Sequence, residues 1–265
     1  MSIATVQAGG GLGRAAQVRL LQALILVGTL SAWEGGVRSG LVDPFWTSSP
    51  SLIAAAFWES LQSLAIVRHT GVTLAEALAG LAAGCAGGIL LGLLLGMSRV
   101  VGAAAEPFVI ALNSLPRVAL GPLIVMFAGI GFASKFLLAF SLVVVPMMIN
   151  TYEGIKSVDR IQLNLMHVLR ASRRQVFFKV LLPNCVPWIF SGIRVSISFA
   201  IIGAIVGEFI SARAGIGYMI DEAAGGFDTT GMLMPLVVLM LIAFGLDRLV
   251  LAASERLLHW RDAKA

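Results

Sequence analysis

Apolar positions along this chain gather into six long runs: Val18–Val37, Val72–Met97, Phe108–Ala128, Ser134–Tyr152, Val186–Ile210 and Met232–Ala252. A helix needs roughly 20 apolar residues to cross a bilayer. The short alternating segments of a membrane barrel are absent. The pattern predicts an all-α polytopic membrane protein of about six transmembrane helices. Between the first two runs, Ser48-Ser49-Pro50-Ser51 reads as a helix start. Leu52, Ile53, Ala56, Phe57, Ser60, Leu61 and Leu64 follow at helical spacing, which predicts an amphipathic helix over Pro50–Val67.

Interruptions within the runs carry further information. Gly80, Gly84, Gly88, Gly92 and Gly96 recur every fourth residue in the second run. Small residues at that spacing let a neighbouring helix approach closely, so they predict a packing seam. Pro116 and Pro122 interrupt the third run, each removing a backbone donor. Irregular backbone at membrane depth is tolerated only against protein or a water-filled cavity. Asn113 and Arg117 beside Pro116, with Glu208 in the fifth run, are therefore candidates for a translocation pathway. A kink made only for packing explains the prolines equally well. Arg194 and Glu208 lie about 21 Å apart along one helix, so each needs a partner elsewhere.

Composition narrows the class. Only 12% of the 265 residues are charged, 58% are hydrophobic, and mean hydropathy is +0.92. The net charge of +5 orients loops and carries no nucleic-acid signal. Six spans place both ends of the chain on one side, and 14 of the 19 Lys and Arg fall on that side. This puts both termini in the cytoplasm. The organisation expected is a disordered cytoplasmic N-terminus (1–17), a transmembrane domain (18–252) with a cytoplasmic loop at 159–183, and a cytoplasmic tail (253–265). Cys85 and Cys185 suggest neither a disulfide nor a metal pair, and the three histidines are not at ligand spacing.

The loop is the most patterned polar segment. Ser172 can cap a helix in which Val176, Phe177, Val180 and Leu181 share one side, with Arg173, Arg174 and Lys179 among them. Asp159–Leu169 can form a first short helix, with a turn near Arg170. Pro183 and Pro187 are expected to end the segment and redirect the chain. Such a knob suits docking to a cytoplasmic protein; a basic hairpin resting on anionic lipid is the plainer reading.

The loop also resembles the signature loop of inner-membrane permease subunits of ATP-binding-cassette importers. That signature runs Glu-Ala-Ala, three residues, Gly, nine residues, Ile, one residue, Leu-Pro. Here Leu182-Pro183 match, Val180 stands at the Ile position, Arg170 at the Gly position, and Asn164-Leu165-Met166 at Glu-Ala-Ala. Further phrases are similar to the nitrate/sulfonate/taurine branch across about Pro50 to Arg261: Gly92–Ser98, Asn113–Pro122, Phe127–Lys135, Asn150–Val158, Ala171–Pro187 and Gly207–Tyr218. The resemblance implies a type I importer permease in a bacterial inner membrane, with no catalysis and no cofactor of its own. It implies a cytoplasmic ATPase that carries ATP and Mg, a second permease copy, and an extracytoplasmic solute-binding protein. Arg170, Ser172, Arg173, Val176, Phe177, Lys179, Val180 and Pro183 would couple to the ATPase. The solute would be a small anion of the sulfonate, nitrate or taurine type, or a heterocyclic vitamin precursor.

No GxxxxGK[ST] phosphate-binding loop occurs, so nucleotide hydrolysis by that route must come from another chain. An ion-gradient carrier would use Glu76 and Glu208, the plausible intramembrane carboxylates. A lipid-modifying enzyme would have to build on Arg117, Arg194 and Glu208, which match no catalytic motif.

Overall fold

The computed structural model describes residues 11–257, which contain no strand. In chain order the elements are α1 (Gly11–Arg38), α2 (Pro44–Thr47), α3 (Pro50–Gln62), α4 (Ala65–Met97), α5 (Arg99–Ser114), a 3-10 turn (Arg117–Leu120) and α6 (Gly121–Ala128). There follow α7 (Phe132–Lys156), α8 (Arg160–Val168), α9 (Arg173–Val176), a π turn (Phe177–Leu181), α10 (Leu182–Ser211), α11 (Ile216–Gly225) and α12 (Thr229–Leu257). Five helical stretches are long and apolar enough to cross a membrane, and the bent α5–α6 pair makes a sixth.

The glycine stripe of α4 lies against α7. A methyl group built on Gly80 would sit 2.5 Å from Ala139 Cβ, one on Gly84 2.6 Å from Val143 Cγ1, and one on Gly88 2.6 Å from Met147 Cβ. Gly92 faces the Met148 carbonyl and Thr151, and Gly96 faces Ile155. The partners on α7 thus also step by about four. A period above 3.6 keeps two helices in register only if they wrap with a right-handed sense. The other side of α7 meets α10, where Gly203 touches the Ala139 backbone and Gly207 the Lys135 stem. Two helix backbones therefore close on α7, and Leu138, Ala139, Val143 and Met147 are buried between them. α12 and α11 cover a neighbouring cluster around Ala77, Ile197, Ala200, Ala204, Ile216 and Leu239.

α1 stands apart, exposed along its apolar length. Its polar anchor is Glu34, which accepts from the Ser51 N–H and hydroxyl and from Arg38 Nε. On the exposed side of the bundle, Arg194 makes a bidentate bridge to Asp247 on α12, at 2.7 and 3.0 Å.

Several expected boundaries shift. α1 begins at Gly11, inside the stretch expected to be disordered, and α12 runs to Leu257, inside the expected tail. Residues 1–10 and 258–265 lie outside the described residues. The amphipathic helix ends at Gln62, because Leu64 turns left-handed (φ 59°) and α4 starts directly after it.

The prolines of the third run act differently from one another. Leu115, ahead of Pro116, is extended (φ −66°, ψ 126°), as the steric demand of a following proline requires. The span bends there by 74°. Pro122 breaks nothing: it sits in the first turn of α6, where a missing N–H is no loss.

Pro183 and Pro187 do not end the loop segment either. Arg173 to Ser211 is one continuous helical stretch. Pro183 would collide with the carbonyl four residues back in a regular helix. The π turn absorbs the conflict, with the Leu182 N–H reaching back five residues to the Phe177 carbonyl.

Candidate functional site

The hairpin at one end of the bundle is built by two capping motifs back to back. Asp159 Oδ1 accepts from the Ile161 N–H at 2.8 Å and starts α8. α8 ends in a Schellman motif: the Arg170 N–H bonds the His167 carbonyl and the Ala171 N–H bonds the Met166 carbonyl, both at 3.0 Å. Arg170 occupies the left-handed position (φ 49°), where a side chain costs about 1–2 kcal/mol relative to a right-handed turn. Ser172 then opens α9 with a capping box. Its hydroxyl accepts from the Gln175 N–H, and the Gln175 side chain accepts from the Ser172 N–H. Only Arg170 and Ala171 lie between the C-cap Leu169 and the N-cap Ser172, so the hairpin has little freedom.

Its surface differs from the expected one. Arg170, Ser172, Arg173 and Lys179 are exposed, whereas Val176, Phe177, Val180 and Pro183 are half-buried on the side turned toward the bundle. The apolar groups that project outward are Ile161, Leu165, Val168 and Leu169 on α8 and in its cap, with Phe178 in the π turn. Phe178 packs edge-on against Phe177, with Arg174 over its ring. A three-to-four count from Val176 reaches Lys179 and Val180 and does not separate Phe177 from Phe178. The π turn, which rotates the following residues, is the feature that count lacks. At the base, Asn184 Nδ2 donates to the Gly154 carbonyl and the Ser157 hydroxyl, both at 2.9 Å, and ties the hairpin to the end of α7.

The three pathway candidates are not brought together. Asn113 is exposed beside the bend and lines a cavity of about 280 Å³ with Glu106 and Tyr152. Arg117 turns back onto α7, where its Nη1 donates to the Ser141 carbonyl at 2.9 Å and approaches the Leu142 carbonyl at 3.5 Å. Pro146 deprives Leu142 of its usual donor, so Arg117 supports a second proline site. Glu208 is buried at the end of the bundle opposite the hairpin.

There Glu208 organises a polar knot. Its Oε1 accepts from the Thr73 hydroxyl at 2.7 Å and its Oε2 from the Gly217 N–H at 2.5 Å. Thr73 Oγ1 in turn accepts from the Ile216 N–H. The His69 ring, stacked on Tyr218, accepts from the Gly215 N–H. Gly215 has φ 118° and leaves no room for a Cβ beside the Glu208 carboxylate. The knot pins the turn between α10 and α11 onto α4. Lys135 donates to the Ser211 carbonyl at 2.6 Å. Thr73 and His69 were not among the candidates; polar residues recurring every three to four positions at the start of an apolar run, with Glu76, are the signal that points to them.

The family model described as "Binding-protein-dependent transport system inner membrane component" matches residues 88–259, which hold the bent span, the hairpin and Glu208. The chain belongs to this family. Among its relatives, the riboflavin transport system permease protein RibX of Chloroflexus aurantiacus is 39% identical, covering 86% of this chain and 85% of that protein. The formylaminopyrimidine transport permease protein ThiX of Halalkalibacterium halodurans is 32% identical over 86% of this chain and 91% of its own length. The taurine transport system permease protein TauC of Escherichia coli is 28% identical, covering 90% of each chain. A solved inward-facing MetNI methionine ABC transporter matches with a TM-score of 0.63 at 19% identity, over 74% of this chain and 95% of that one. The fold is that of a type I importer permease. This permease is a multi-pass inner-membrane subunit without catalytic activity, and its family works with a separate ATPase and a solute-binding protein.

Proposed function

We propose that the hairpin end of this permease faces the cytoplasm and seats in a cleft of the ATPase, which binds ATP and Mg. Both chain ends lie on that side, a second copy of the permease completes the pathway, and the binding protein delivers solute to the Glu208 end. The observation that carries this reading is a doubly capped hairpin on which Ile161, Val168, Leu169 and Phe178 are exposed together with Arg173, Arg174 and Lys179, Arg174 lying over the Phe178 ring. Apolar anchors inside a polar rim are how a docking surface gains both affinity and register.

The solute is a small organic molecule. Identities of 39% and 32% to permeases named for riboflavin and formylaminopyrimidine favour a nitrogen heterocycle over a taurine-type sulfonate, for which the identity is 28%. Asn113, at the bend, is the pathway residue the geometry favours, with Arg117 holding the bend in place. The test is reconstitution with its ATPase and solute-binding protein. Radiolabelled thiamine-precursor pyrimidines, riboflavin and taurine are offered to proteoliposomes, with ATP inside. ATP-dependent uptake is expected; uptake that persists without ATP and collapses with an uncoupler would reverse the reading.

A further inference from the structure

Two cavities adjoin between α5 and α7. The smaller, of about 280 Å³, runs from the bend at Asn113 past Ile110 and Glu106 to Tyr152 and Glu153. The larger, of about 570 Å³, continues toward the hairpin at Arg160 and Leu181. Leu95, Glu106 and Tyr152 line both, and the cleft they make has the size of a small-molecule site. Helical spacing builds its walls. Glu106 and Asn113 stand seven apart on α5, and Ile149, Tyr152 and Glu153 three to four apart on α7, so each set shares a face. Gly102 lets the walls approach: a methyl there would sit 2.8 Å from the Tyr152 hydroxyl.

Two of the polar groups in the cleft are uncommitted. The Glu106 carboxylate and the Asn113 amide make no hydrogen bond or ion pair among the described residues. Glu106 lies about 12 Å along the helix from Ser98, at 1.5 Å per residue, in one half of the bent span. A carboxylate within a span faces water or a polar partner rather than lipid. Glu153, in contrast, pairs with Lys156 at 3.7 Å, and the Lys156 ammonium lies over the Tyr152 ring. Glu106 and Glu153 against Lys156 and Arg160 leave the cleft as a whole without net charge.

We propose that this cleft is a solute site for a flat, uncharged nitrogen heterocycle, which stacks on Tyr152, donates an amino or ring N–H to Glu106 and meets the Asn113 amide at its edge. The assignment rests on the permease reading and narrows the solute to one that carries an N–H donor on an aromatic ring. A sulfonate suits the cleft less well. It has no ring face for Tyr152, and its charge would meet two carboxylates in the smaller cavity.

The test is saturation-transfer NMR on the permease–ATPase complex in lipid nanodiscs. The probes are 4-aminopyrimidine and 4-methylpyrimidine in mildly alkaline buffer, where both are uncharged. The amino compound is expected to bind about fivefold more tightly than the methyl compound, through its bond to the carboxylate. Glu106→Leu removes the acceptor from an exposed position and should erase that preference while methylpyrimidine binding stays nearly the same. Tyr152→Leu should weaken both probes by about fivefold and keep the preference, and it serves if Glu106→Leu does not fold. Equal binding of the two probes by the wild type, binding of neither, a preference that survives Glu106→Leu, or full affinity in Tyr152→Leu overturns the assignment. Absence of ATP-driven uptake by the wild type would instead sink the permease reading and leave this comparison standing.

Discussion

The Thr73 hydroxyl donates to Glu208 Oε1 at 2.7 Å while its oxygen accepts from the Ile216 N–H at the same distance. One hydroxyl thus joins α4, α10 and the start of α11, and it is almost wholly buried. Thr73→Val keeps the shape and strands both partners. It should destabilise the purified complex by about 2–4 kcal/mol, read as a lower unfolding midpoint. Thr73→Ser should recover most of the loss, and equal stability of all three proteins would deny the knot its role.

The seam between α4 and α7 predicts a contrast between adjacent glycines. Gly88→Ala would place a methyl 2.6 Å from Met147 Cβ and 2.7 Å from the Val144 carbonyl, so the helices must part. Gly87→Ala would meet nothing nearer than 3.5 Å. The first should cost about 1–3 kcal/mol through overpacking, and the second should gain up to about 1 kcal/mol from helix propensity. Thermal unfolding of the two variants side by side checks the sign of each.

Arg170→Gly should stabilise the hairpin by about 0.5–1 kcal/mol, since glycine adopts the left-handed position without a Cβ penalty. Arg170→Val should do the reverse. Hydrogen exchange of the Ala171 and Gln175 amides reports the hairpin directly. Slower exchange in the valine variant than in the glycine variant would contradict the Schellman geometry.

Phe178→Asp should weaken association with the ATPase by at least about tenfold, because a charge replaces an exposed anchor. Phe177→Asp should act mainly on folding of the hairpin, because its ring is half-buried. Copurification and thermal unfolding measured together separate the two. Loss of the ATPase from the Phe177 variant alone, at unchanged stability, would put the docking face on the other side.

Much of this architecture is legible in the sequence where one residue type dictates local geometry. The Gly80–Gly96 repeat announces a close helix pair, and Pro116 announces a bend. Ser172 announces a helix start, and the stretch between Asp159 and Pro183 announces a folded loop. What the sequence leaves open depends on partners distant in the chain. The reach of Arg117 to the carbonyls near Pro146 cannot be read from its neighbours in sequence. Nor can the fold of the glycine turn at 215–217 onto Glu208. Pro183 reads as a terminator because the rule against mid-helix proline assumes regular α geometry, and a π turn suspends that rule.

That unbroken stretch from Arg173 to Ser211 has a mechanical consequence. Phe178 and Glu208 sit on one rod, roughly 45 Å apart at 1.5 Å per residue, with no loop between them to take up slack. A tilt imposed at the hairpin end therefore arrives at the opposite end as a displacement of the glycine turn itself. Were the ATPase to seat on the hairpin, engaging it and moving the Gly215 turn would be a single event, with the π segment and Pro187 as the places where the rod could give.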